Sequence, residues 1–191
     1  MGNKKGREDE HISRICEVNG LNKEDIQKKS ERFLEINHEM RWNRAIYIGK
    51  NIEEKLVRNE TLINNSISYL ANLDWEECDV EIEKNLKPLY DSCIINDILN
   101  YTFMKMRDYP FGGELYYDII RMTFLESSRY TCEDIMTRHA MCRAVFYRKR
   151  KDAAILFGIV LWSIAIPFLQ ENFNCSVNEF RHLLKEAGCC S

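Results

Sequence analysis

From Ala153 to Leu169 the chain runs 17 residues without a charged side chain: Ala-Ala-Ile-Leu-Phe-Gly-Ile-Val-Leu-Trp-Ser-Ile-Ala-Ile-Pro-Phe-Leu. At roughly 25 cal/mol per Å² of apolar surface removed from water, a run this long must be buried somewhere. It touches the lower limit of a membrane span, about 17 residues, and Arg148–Lys151 just before it would suit a cytoplasmic flank. The shortness of the run, the late Pro167 and the direct junction with a basic segment favour a different burial. Either the run is a helix that closes the protein's own core, or it pairs two copies as a homodimer. Membrane attachment is therefore not expected. Only eight Gly and three Pro punctuate 191 residues, which favours long helices over a many-turned β architecture. The expected fold class is all-α: a helical N-terminal hairpin or bundle, then a helix-turn-helix unit, then the apolar closing helix.

Upstream, residues 1–21 are expected to form a flexible tail, because 1–11 are polar and charged with two glycines. Residues 22–108 form the helical N-terminal region. Asn22 suits an N-cap, with Glu24 and Asp25 favourable in the first turn. Ile26, Phe33, Ile36 and Met40 then recur at helical spacing, and Trp42, Ile46 and Tyr47 extend the stripe. Ile48, Ile52, Leu56, Ile63, Ile67 and Leu70 trace a second helix, weakened at its middle by Asn59, Asn64 and Asn65. The acidic stretch Asp74–Glu83 reads as a solvated helix start capped by Asp74 or Asp79. One further helix is expected from Leu86 through Cys93 and Ile94 to Arg107.

Tyr109-Pro-Phe-Gly-Gly is the clearest break in the chain. Pro110 forces Tyr109 into extended backbone and the glycine pair permits a tight turn. Glu114 then opens a helix with Leu115, Tyr116, Ile119, Ile120, Thr123 and Phe124 facing the core, ending at Ser127 and Ser128. Residues 109–170 form the helix-turn-helix region with its closing helix. Residues 171–191 form a C-terminal tail with a short helix from Ser176, carrying Val177, Phe180, Leu183 and Leu184.

Several chemistries find no support. The eight cysteines contain no Cys-x-x-Cys pair and, with the four histidines, make no zinc spacing. Neither a metal nor a cofactor is expected, and the thiols are read as inert in a reduced, cytoplasmic protein. No Gly-Lys-Ser/Thr follows the glycine pair, so nucleotide binding is unsupported. Arg32 and His38 have the spacing of certain helical ribonucleases, but six residues put them about 120° apart on a helix. No nucleophile, base and orienting group assemble, and no catalytic residue is assigned.

Charge singles out one segment. Residues 1–100 hold 15 basic and 20 acidic side chains, residues 101–191 hold 12 and 10, and Arg138–Lys151 has six basic residues and no acid. An acidic chain, net −3, with one basic patch has a local electrostatic footprint of the kind that meets nucleic acid. Around that patch Thr131 is a candidate N-cap with Asp134 three residues on, an approximate capping box. Ile135 points inward, a turn falls at His139-Ala140-Met141, Met141 plugs the two helices, and Cys142 starts the second. On that second helix Phe146 and Ala153 share the inward face. Arg143, Ala144, Tyr147, Arg148 and Lys151 share the face a major groove would see. Arg143 and Arg148 suit base edges, since a guanidinium binds guanine bidentately. Tyr147, Lys149, Arg150 and Lys151 suit phosphates.

The register Thr-x-Glu-Asp-Ile, then Arg-x-x-Phe-Tyr-Arg-x-Lys, then an apolar run with Leu161-Trp162, resembles the DNA-binding end of small phage-type transcription regulators. These are the autolysin-regulator (ArpU) type and proteins resembling region 4 of sigma factors. The resemblance covers about Tyr109–Trp162, with Tyr109-Pro-Phe-Gly-Gly-Glu-Leu-Tyr-Tyr-Asp-Ile-Ile similar to the helix leading into their reader. It implies double-stranded DNA as partner, RNA polymerase as a possible second one, and control of phage or prophage genes rather than catalysis. The chain departs from that pattern at Met136, His139, Cys142, Ala144 and Val145, where the pattern has Ala, Leu, Ser and small hydroxylated residues. Those departures imply either altered DNA specificity or a reader turned into scaffold.

Overall fold

The computed structural model describes residues 4–48, 60–126 and 130–172, and every regular element among them is helical. In chain order these are α1 (Lys4–Val18), α2 (Lys23–Ile48), α3 (Glu60–Ala71), α4 (Asp79–Asp91), α5 (Ile94–Arg107), α6 (Gly113–Ile120), α7 (Cys132–Arg138), α8 (Arg143–Val160) and α9 (Ile166–Asn172). Two π-helical turns, Arg121–Leu125 and Leu161–Ala165, prolong α6 and join α8 to α9.

The apolar run is the axis of this fold. Residues 152–161 of α8 and its π-helical turn are buried on every side, and α8 as a whole packs against α2, α6, α5 and α1. Phe157 sits between Phe33 of α2 and Phe103 of α5, at ring-centroid distances of 6.1 and 5.7 Å. Gly158 allows α2 to cross closely. A Cβ there would lie 2.8 Å from Ile26 Cγ1 and nearer still to Ser30 Oγ, so any larger side chain would push the two helices apart. The helix Arg143–Glu171 has the length and composition to cross a membrane, yet 72% of its most apolar window is buried inside the protein. Neighbouring helices supply the apolar surroundings that a bilayer otherwise would.

Several local expectations hold. The Asn22 carboxamide accepts from the Glu24 and Asp25 amides at 2.9 and 3.2 Å, capping α2. Ile26, Phe33 and Ile36 are buried, as are Ile63, Ile67 and Leu70 on α3. The Pro110 break forms a turn in which Gly112 takes φ +94°. Gly113 lies so close to the end of α5 that a Cβ would sit 2.7 Å from the Arg107 carbonyl oxygen.

Others are corrected. Much of the stretch expected to be a flexible tail is helix α1, which buries Ile12 and Cys16 one turn apart. A highly charged, glycine-containing segment still helps close the core because those two apolar residues share a face. The helix expected from Leu86 to Arg107 is two helices, α4 and α5. Cys93 adopts φ 63° between them, and the Ser92 hydroxyl donates to the Pro88 carbonyl at 2.8 Å. Trp42 is 55% exposed rather than part of the core stripe. Ile52, Leu56, Ser127, Ser128 and the short helix expected from Ser176 lie outside the described residues, as do the side chains of Ile46, Tyr47 and Ile48.

Candidate nucleic-acid interface

The segment from Thr131 to Lys151 is built as a capped short helix, a four-residue turn and the start of a long helix. Thr131 Oγ1 accepts from the Asp134 amide at 3.1 Å, while an Asp134 carboxylate oxygen accepts from the Thr131 amide at 2.9 Å and its hydroxyl at 2.7 Å. This reciprocal box satisfies donors that a helix start leaves unpaired. The Thr131 hydroxyl and then its amide hold the Asp134 carboxyl below the usual carboxylate range.

The end of α7 is closed by a motif that the sequence does not advertise. The Ala140 amide donates to the Thr137 carbonyl at 3.2 Å and the Met141 amide to the Met136 carbonyl at 2.9 Å. Ala140 sits at φ 48°. These are the two bonds of a Schellman motif with its left-handed residue, a place glycine ordinarily takes. Met136 and Met141, part-buried at the two positions whose apolar side chains commonly meet at such a stop, each pack on the core. Cys142 is the N-cap of α8 in extended backbone, with no side-chain bond to the helix.

Phe146 is fully buried and orients the first turns of α8. Arg143, Ala144, Tyr147 and Lys151 are exposed on the far face, with Arg148 half-buried at its edge. The Arg143 guanidinium lies 5.7 Å from the Tyr147 ring centre. Lys149 and Arg150 go elsewhere. Lys149 Nζ donates to the Tyr116 hydroxyl at 3.1 Å, and the Arg150 guanidinium lies over the Phe124 ring at 5.6 Å. The expected set of seven residues thus divides into five that share a surface and two that face α6 and its π-helical turn.

Other candidates are not brought together. Arg32 pairs with Asp79 of α4, whereas the His38 Nδ1–H donates to the Phe124 carbonyl at 2.9 Å. Each side chain of that pair has its own partner on a different element. Among the described residues no three His, Cys, Asp or Glu side chains group so as to hold a metal ion. His139, in the turn, is part-buried with Nε2 3.9 Å from an Asp118 oxygen, and Asp118 also pairs with Arg121.

Compared with models of protein families, curated proteins and solved structures, the chain finds no match in any of the three.

Proposed function

We propose that this protein binds duplex DNA sequence-specifically, as a transcription regulator of the phage or prophage kind, with the first turns of α8 in the major groove. The observation that carries this reading is the exposed face of Arg143, Ala144, Tyr147 and Lys151, with half-buried Arg148 at its edge, which has no acid on it. It follows a boxed short helix and a tight turn. A helix of this diameter fits the major groove, and Ala144 leaves room between the cations for close approach to base edges. Arg143 and Arg148 suit guanine edges, and Tyr147 and Lys151 suit phosphates.

The test is selection of bound sequences from a random duplex pool at two salt concentrations, with Arg143→Glu as the comparison. One enriched motif is expected, lost in the variant. The plot of log affinity against log salt should have a slope no steeper than about −3, since only Arg143, Arg148 and Lys151 stand at the face. Absence of binding at low salt would overturn this reading in favour of a non-catalytic helical interaction module. The inward placement of Lys149 and Arg150, which removes two cations from the surface, is the observation on that side.

A further inference from the structure

Which side chains of α8 meet a duplex depends on how the helix is rolled about its own axis. We propose that Lys149 and Arg150 are positioning residues: they grip Tyr116 and Phe124, set that roll, and do not themselves touch DNA. This inference rests on the DNA-binding reading and deepens it.

The geometry is that of a pivot with a stay on each side. Phe146 is the pivot, buried completely. Three and four residues further on, Lys149 and Arg150 fall about 60° to one side of it and about 40° to the other. Each ends on an aromatic ring of the segment leading into the reader. Lys149 Nζ is 3.1 Å from the Tyr116 hydroxyl and 5.1 Å from its ring centre, and Arg150 reaches Phe124 from the other side. Both rings are fixed: Tyr116 is 0% and Phe124 2% exposed. The Phe124 carbonyl is also held from α2 by His38. A cation over an aromatic face keeps its charge attracted while its stem lies on apolar surface. One such stay would leave the helix free to turn towards it, whereas two on opposite sides oppose roll in both directions. A roll of about 60°, less than one residue's step of about 100°, would expose Arg150 and carry Arg148 towards the core.

The experiment compares the full chain with Lys149→Met, Tyr116→Phe, their combination and Arg150→Met. Base preference comes from selected duplex pools, salt dependence from titration, and folding from thermal unfolding. Tyr116→Phe removes only a buried hydroxyl. The expected result is that each single variant unfolds cooperatively, keeps the wild-type salt slope, and loses about tenfold of preference for the selected motif over scrambled duplex, the scale of one bidentate base contact. Lys149→Met combined with Tyr116→Phe should lose no more than Lys149→Met alone. A slope shallower by about one in Lys149→Met or Arg150→Met, with preference intact, would make that residue a phosphate contact and overturn the proposal. Variants that melt earlier yet keep both preference and slope would also overturn it, leaving the two residues a purely stabilising role. If the wild-type protein binds no duplex, the DNA reading itself fails and this inference falls with it.

Discussion

Along α8, residues 143–151 keep Arg143, Ala144, Tyr147 and Lys151 in solvent, while residues 152–160 are buried without exception. One continuous hydrogen-bonded cylinder therefore carries a polar, one-sided segment and one that is apolar all round from Ala153, after the buried Asp152. Only the first shows a helical face in the usual sense, with Phe146 inward, Arg143 and Lys151 outward, and Lys149 and Arg150 turned back onto Tyr116 and Phe124. The second has no exposed face, being the buried part of a helix that packs on α1, α2, α5 and α6. Burial on all sides ties stability to residues 152–160, and exposure leaves Arg143, Ala144, Tyr147 and Lys151 available for a partner. Substitutions in the two halves should therefore act on different observables.

The largest effect expected is in the buried half. Phe157→Ala removes a ring held between Phe33 and Phe103 and should cost about 3–5 kcal/mol of unfolding free energy, read by urea denaturation. In the exposed half Arg143→Ala should change stability by less than about 0.5 kcal/mol. It should weaken binding to a selected duplex by about 1–3 kcal/mol with relaxed base preference, measured by titration. Equal weakening on all sequences would reassign Arg143 to a phosphate. If the two substitutions cost similar stability, the contrast between the halves breaks down.

A smaller gain is expected at the junction that sets the direction of α8. Ala140 occupies a left-handed position, φ 48°, which costs an L-residue roughly 1–2 kcal/mol. Ala140→Gly should raise stability by about 0.5–1 kcal/mol once glycine's greater freedom in the unfolded chain is counted. A thermal melt that moves down instead would show that the turn is not held as described.

The smallest effect is electrostatic, at the far end of the buried half. Lys29 Nζ lies 4.4 Å over the Trp162 ring, and the Trp162 indole N–H donates to the Leu70 carbonyl at 2.9 Å. Burial pushes the Lys29 amine from 10.5 down to about 8, with the Asp74 carboxylate opposing the change. Between those values the unfolded chain holds the proton that the folded protein has released, so stability rises with pH. Cys16, whose thiol burial raises from 9.0, acts in the opposite sense above about pH 9. The clean window is therefore pH 8 to 9. Urea midpoints should climb across it in the wild type and stay level in Lys29→Met.

Much of the local construction was legible in the residues. Asn22, Thr131 with Asp134, and the Tyr109-Pro-Phe-Gly-Gly break each act through neighbours within a few positions, so spacing alone was enough to place them. The apolar stripes Ile26–Phe33–Ile36 and Ile63–Ile67–Leu70 were legible for the same reason, as was the all-α class. The helix at residues 4–18 was not, since Ile12 and Cys16, with part-buried Ile15, are a sparse mark of its buried face among the described side chains, and the helix they pack on lies far along the chain. Nor was the break at Cys93, which has neither Gly nor Pro to signal left-handed backbone. Of the candidate interface, periodicity correctly placed Arg143, Ala144, Tyr147 and Lys151 together. Lys149 and Arg150 escaped because a cation that bends back onto an aromatic ring looks, in sequence, like any other cation in a basic run.

The residues alone dictate that the chain is helical, where several helices begin, and that most of 153–169 leaves water, although Ile164 stays 41% exposed. Those follow from dihedral preference, capping chemistry and the cost of wetting apolar surface, all of which act over a turn or two or are summed along a run. What covers that run, and which cations of the basic segment remain at the surface, emerges only from the packing of the helices. Covering Phe157 takes Phe33 and Phe103, and holding Lys149 takes Tyr116, residues more than 30 positions away in the chain. Such pairings are selected when all the helices pack at once, and no local pattern encodes them.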